Sequence, residues 1–209
     1  MKTSLPNPTI IRLCALYQLL CLMEREGAVR VSSTELGRRT GQPPHSIRKD
    51  ISCLGEIGNS GAGYAVPALK NNLATHLGLN TVKKACIAGL GRLGSAILAS
   101  PNLAGREFSI VAGFDSDVNK LETIRTAIMV FPSHEISEVV KKMAIELAII
   151  AVPAARAQEV ADRLMAGGIR GILNLAPTVI TTGEHACIVR NIDVAGELRI
   201  LSAMIGKSK

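Results

Sequence analysis

The sequence predicts an α/β chain in two parts: a small helical segment, then a doubly wound parallel sheet. Three observations predict it. A length of 209 residues exceeds what one ordinary core needs and suits a small domain beside a medium one. Residues 1–80 carry helical apolar periods separated by tight turns. Residues 81–178 alternate short β-branched runs with helical stretches, the pattern of parallel strands covered on both faces.

In the first segment, Ile10, Leu13, Leu16, Tyr17, Leu20 and Met23 recur at three- and four-residue steps, which predicts a helix from Pro8 to about Arg25. Pro8 suits its first turn and Gly27 its end. The run Ser32, Ser33, Thr34, Glu35 is a capping box, a hydroxyl with a carboxylate three residues later, and opens a second helix through Arg39 that Gly41 stops. Gln42 and Pro43 make a tight turn. Pro44 then starts a third helix with Ile47, Ile51 and Leu54 on one apolar edge, and the short spacing is that of a helix-turn-helix.

On that third helix Ser46, Arg48, Lys49 and Ser52 point away from the apolar edge, where side chains reach base edges and phosphates. A DNA-reading helix is one interpretation and a solvated charged face is the other. Four glycines between positions 55 and 63 lead into the β-prone Tyr64, Ala65, Val66, which reads as a hairpin whose tip, Asn59 and Ser60, lies along DNA, or as a plain connecting loop.

The second segment opens with the strand KACIAG, which ends in Gly89, Leu90, Gly91, Arg92, Leu93, Gly94. This G-x-G-x-x-G closes a strand and opens a helix, as dinucleotide binding requires. The first glycine permits the turn, the second lets a pyrophosphate approach the backbone, and the third lets helix pack on strand. The next strand, FSIVAGFD, ends in Asp115, placed to accept the ribose hydroxyls of an adenosine. Its charge opposes a 2′-phosphate and no Arg follows directly, so NAD(H) is expected over NADP(H). A helix from about His134, the strand ELAIIAVP, a helix from Ala155 and the strand IRGILNLAP complete the alternation. Val152, Pro153 and Ala154, and likewise Asn174 with Pro177, are expected at strand ends flanking the nicotinamide, although rigid turns explain either proline equally well.

Composition excludes several classes. Aromatics make up only 2%, too few for recognition built on stacked rings. The net charge of +7 is compatible with a polyanionic partner, and the first 80 residues hold nine basic against five acidic side chains. Five cysteines, at 14, 21, 53, 86 and 187, show no C-x-x-C pair, so neither a zinc site nor a disulfide framework is expected. They read as buried thiols, with Cys14 and Cys21 facing one core. The histidines at 45, 76, 134 and 185 are scattered, and no catalytic machinery or metal site is predicted. No apolar run spans a bilayer and the start lacks a signal core, so a cytoplasmic protein is expected.

The order of these features resembles the Rex family of redox-sensing transcriptional repressors, through VSSTELGRRTG, SIRKDIS, GAGY, AGLGRLGSA, VAGFDSD, VPAARAQEVADRL, GIRGILNLAP and NIDVAGEL. The resemblance spans nearly the whole chain. It implies a winged-helix DNA-binding domain over 1–80, a Rossmann domain binding NADH or NAD over 81–192, and a carboxy-terminal helix over 193–209 exchanged between subunits, with Val194, Leu198 and Leu201 as its apolar side. It also implies a homodimer that grips double-stranded operator DNA when NADH is low and releases it when NADH accumulates. Three departures stand out. The family's aromatic pair after the recognition helix is here Cys53 and Leu54, and its basic wing tip is here Asn59 and Ser60. Of the family's switch partners, Tyr and Arg become Ser100 and Gln18, and only Asp193 is retained. Such departures imply fewer phosphate contacts and an altered latch. Alternatives of other classes are a Rossmann oxidoreductase, a coenzyme A-handling enzyme subunit, and a dimeric interaction protein that has lost DNA binding.

Overall fold

The structure is a computed structural model that describes residues 5–55, 63–100 and 105–206. The chain divides into two compact units, Met1–Thr81 and Val82–Lys209.

In the first unit, α1 (Asn7–Arg25) buries Leu13, Leu16, Leu20 and Met23, the stripe that the sequence period predicts. Helix α2 (Ser33–Thr40) begins where the Ser32 hydroxyl accepts the Glu35 N–H at 3.1 Å, and ends at Gly41 in the left-handed region. Helix α3 (Pro44–Ser52) buries Ile47 and Ile51, and Leu54 joins the same core just beyond its end. A charged contact accompanies these apolar ones. Arg12 of α1 donates Nε to Asp50 Oδ2 at 2.6 Å and Nη2 to Asp50 Oδ1 at 2.7 Å, and Asp50 is only 4% exposed.

Two elements of this unit were not read from the sequence. One is β1 (Arg30–Val31), ahead of α2, which pairs antiparallel with the β-prone run, here strand β2 (Tyr64–Ala65). Residues 56–62 lie outside the described residues. Next comes α4 (Val66–Leu77), which the three-helix reading lacked. Pro67 stands in its first turn, Val66, Leu69, Leu73 and Ala74 are buried, and it packs on α1.

The second unit is a six-stranded parallel sheet. Its strands are β3 (Lys83–Ala88), β4 (Phe108–Asp115), β5 (Met129–Pro132), β6 (Leu147–Ile150), β7 (Gly171–Asn174) and β8 (Ile188–Asn191), in the order β5-β4-β3-β6-β7-β8. Strand order reverses between β3 and β6, the switch point at whose carboxyl edge open sheets bind ligands. The helices are α5 (Arg92–Leu98), α6 (Val118–Thr123), α7 (Ile136–Met143), α8 (Ala154–Ala166) and α9 (Val194–Gly206). Strands β5 and β8 are edge strands that the sequence reading did not separate. A core of Cys86, Phe114, Ile136, Ile150, Ala161 and Leu164 joins strands to α7 and α8.

Helix α9 buries none of its residues: Val194, Leu198, Leu201 and Met204 are 68%, 62%, 54% and 62% exposed. The cysteine expectation is corrected. Only Cys86 is buried, and desolvation pushes its thiol up to about 12; Cys14 and Cys53 are exposed and Cys21 is intermediate. Cys14 misses the core because the buried stripe of α1 passes through its neighbour Leu13.

Candidate functional site

A cleft of about 460 Å³ opens at the carboxyl edge of β3, β4, β5 and β6. Its floor is the glycine turn after β3. Gly89 has φ of 96°, and a Cβ there would collide with the Ala151 carbonyl oxygen, so turn and neighbouring loop meet backbone to backbone. A Cβ at Gly94 would collide with the Gly89 carbonyl oxygen, which ties the start of α5 to the turn. Gly91 is the opposite case: it lines the cleft and a Cβ there would meet nothing within 4 Å. The open space at Gly91 is where the phosphate-bearing middle of a dinucleotide needs the backbone bare.

Asp115 ends β4 beside this turn and is 8% exposed. Its Oδ2 accepts the Leu90 N–H at 2.8 Å and its Oδ1 accepts the Asp117 N–H at 2.9 Å. Lys120, returned by the short α6, brings its ammonium to 3.4 Å from Oδ2. Burial opposes ionisation of Asp115, but the two N–H groups and Lys120 outweigh it and hold the carboxyl below its ordinary pKa. Oδ1 accepts a single N–H and keeps a lone pair free, so the group remains an acceptor for a ribose hydroxyl.

The structure brings Gly89, Gly91, Asp115, Val152 and Pro153 together around the cleft. Leu90 turns its side chain into the interior and spends its N–H on Asp115. Leu93 is 52% exposed. Strand β6 stops at Ile150, so Val152 and Pro153 form a turn and Ala154 is the first residue of α8. Ala154, Asn174 and Pro177 are not among the residues lining the cleft. Asn174 is fully buried and satisfied locally: its Nδ2 donates to Thr178 O at 2.7 Å and Asn191 Oδ1 at 2.8 Å, and its Oδ1 accepts the Ala176 N–H at 3.0 Å.

Sequence reasoning missed the far wall. Ser133, Arg156, Glu159 and Arg163 also line the cleft. Glu159 binds Arg163 at 2.7 Å and Arg156 at 3.1 Å, and Arg163 donates to the Ser133 carbonyl at 3.1 Å. The spacing 156, 159, 163 puts the three on one face of α8, a signal visible in the sequence once the helix is placed. Among the described residues, no group of His, Cys, Asp or Glu is arranged to hold a metal ion.

In the first unit, α3 exposes Arg48, Lys49 and Ser52 and half-buries Ser46. Arg48 donates to the Ser33 hydroxyl at 3.0 Å, and the Ser52 hydroxyl donates to the Lys49 carbonyl at 2.8 Å. Asn59 and Ser60 lie outside the described residues. Gln18 is exposed on α1. In the second unit Ser100 follows α5, half-buried, and Asp193 stands exposed before α9, 3.5 Å from Arg199. No helix among the described residues is long and apolar enough to cross a membrane.

Comparison with known proteins covers both units. Residues 4–52 match the family described as "Putative DNA-binding protein N-terminus", and residues 80–178 match "CoA binding domain". A redox-sensing transcriptional repressor Rex of Desulfitobacterium hafniense is 36% identical over 207 residues, which cover 99% of this chain and 98% of that protein. The Rex of Carboxydothermus hydrogenoformans is 38% identical over 198 residues, covering 95% of each. Among solved structures, the Rex-family repressor RSP in complex with β-NAD+ and operator DNA superposes with a TM-score of 0.88 at 27% identity, covering 99% of this chain and 94% of that one. Near-complete overlap with relatives this similar, through both units, places the sequence: the chain belongs to the Rex family of redox-sensing transcriptional repressors.

Proposed function

We propose that the chain is a homodimeric transcriptional repressor that binds operator DNA through its first unit and responds to the NADH/NAD ratio through its second. The observation that carries this reading is one chain holding both a reading helix with Arg48 and Lys49 exposed and a switch-point cleft with Gly91 bare beside the Asp115 carboxylate. Asp115 takes the adenosine ribose, the turn from Gly89 to Gly94 takes the pyrophosphate, and Val152 and Pro153 flank the dinucleotide. Ser46, Arg48, Lys49 and Ser52 enter the major groove, with Asn59 and Ser60 at the wing tip. The unburied apolar face of α9 supports exchange of residues 193–209 between subunits, with Gln18, Ser100 and Asp193 at the switch. The protein acts in the cytoplasm, on the chromosome.

Closure of the cleft on NADH shifts the dimer to a geometry whose two reading helices no longer match successive major grooves, about one helical turn apart. Moving the pair from mostly open to mostly closed needs about 5 kcal/mol of preference for the closed state. The test is operator affinity titrated with NADH at fixed NAD and fixed salt. Affinity that falls with NADH supports the sensor, and affinity unchanged at saturating NADH removes it.

A second ligand reading follows from the match of residues 80–178 to a coenzyme A-binding family. Coenzyme A carries a phosphate on its adenosine ribose, which the ionised Asp115 repels. Calorimetry with NADH and coenzyme A separates the two.

A further inference from the structure

Asp50 is a charged residue on the inward edge of a reading helix whose buried face is otherwise apolar, Ile47 and Ile51 with Leu54 just beyond its end. On the exposed face Arg48 donates to the Ser33 hydroxyl of α2. Apolar contacts are non-directional, so they resist withdrawal of a nine-residue helix better than they resist its rotation or slippage. A guanidinium fork on a carboxylate is directional. Arg12 meets Asp50 through two nitrogens, at 2.6 and 2.7 Å, while its Nη2 also donates to the Thr9 hydroxyl at 3.2 Å. The fork is therefore fixed at both ends, by α1 beneath and α3 above. Asp50 directly follows Arg48 and Lys49, so any rotation about the axis of α3 displaces the side chains that face the groove.

We infer that the Arg12–Asp50 pair is a positioning device that sets the rotational register of α3 for base reading and makes α1 and α3 move as one body. The inference rests on the DNA-reading role proposed above for α3. Arg12 and Asp50 touch no base. They act through Arg48 and Lys49, and through α1 they join the reading helix to the element carrying Gln18.

The experiment uses the full-length protein, a duplex that it enriches from a random pool, and a scrambled duplex of equal length. If no duplex is enriched, the DNA-reading role itself fails. Given enrichment, Asp50→Asn is expected to lower affinity for the enriched duplex about tenfold or more, the scale of one lost base-edge contact. Affinity for the scrambled duplex and the dependence on salt stay unchanged, because phosphate contacts set both.

The double variant Arg12→Met with Asp50→Leu separates positioning from stability. Asp50 is the buried partner and the Arg12 side chain is 32% exposed, so removing both leaves no buried charge unpaired, and such apolar replacement commonly preserves the melting temperature. It is expected to melt like the parent and bind NADH like the parent, yet discriminate poorly between the duplexes. If it does not fold, Arg12→Lys takes its place, retaining the charge but not the fork. Parental discrimination in either folded variant overturns the proposal.

Discussion

At the scale of single residues, the most consequential group is Asp115, whose position at a strand end was legible from its spacing to the glycine turn. Its partners were not. Lys120 is brought back by a helix of six residues with no buried side chain, and such a segment has no apolar period to announce it. Because the folded state holds the carboxyl below its ordinary pKa, the unfolded chain takes up a proton first as pH falls. The stabilisation is complete above the unfolded value of about 4 and is lost as pH drops through the folded one. Melting temperatures of the parent and Asp115→Asn are therefore expected to differ by a constant amount between pH 5 and 7 and to converge at more acid pH. The same variant is expected to bind NADH about tenfold more weakly, since hydrogen bonds to a charged group contribute about 1.5–3 kcal/mol, and to discriminate less against NADPH. Calorimetry checks both, and undiminished discrimination would remove Asp115 from the ribose site.

At the scale of elements, legibility followed burial. The stripe of α1, the capping box of α2 and the apolar edge of α3 were readable because each pairs a period with a stop or start signal. Helix α4 carries such a stripe as well, at Val66, Leu69 and Leu73 with Pro67 in its first turn. It was obscured because Tyr64, Ala65 and Val66 read as one arm of a hairpin, and assigning Val66 to a strand removes the first residue of the period. Strand β8 was hidden for a different reason: it is an edge strand without a buried residue, and Arg190 and Asn191 interrupt its apolar run. Strand β5 is likewise only partly buried along an edge. The capping box gives a clean measurement. Ser32→Ala leaves the Glu35 N–H without its acceptor, and a loss of about 1 kcal/mol is expected, seen as a lower urea midpoint for the first unit. An unchanged midpoint would mean that the helix start is held by other contacts.

At the scale of the whole molecule, the parallel sheet and a cleft at its carboxyl edge were legible in the alternation of strands and helices. The six-strand order was not, because β5 and β8 bury too little to be read, and the second copy proposed above was implied by the family resemblance alone. The 13 residues of α9 have the composition of an ordinary packed helix, and only the structure reveals that none is buried within the chain. Light scattering is expected to find a dimer for the full chain and a monomer when residues 194–209 are deleted, with operator affinity lost from the truncated form at protein concentrations where the full chain binds. A full chain that stays single at micromolar concentration would defeat this expectation.

If a second copy covers the unburied face of α9, as proposed, assembly becomes a matter of abundance. Each tenfold dilution takes about 1.4 kcal/mol from the free energy holding two copies together. The midpoint of thermal denaturation should consequently slide downward on dilution, whereas that of a protein complete in one chain stays put. In the cell, the rate of synthesis would then set a floor beneath which no paired species exists to respond to either form of the nucleotide.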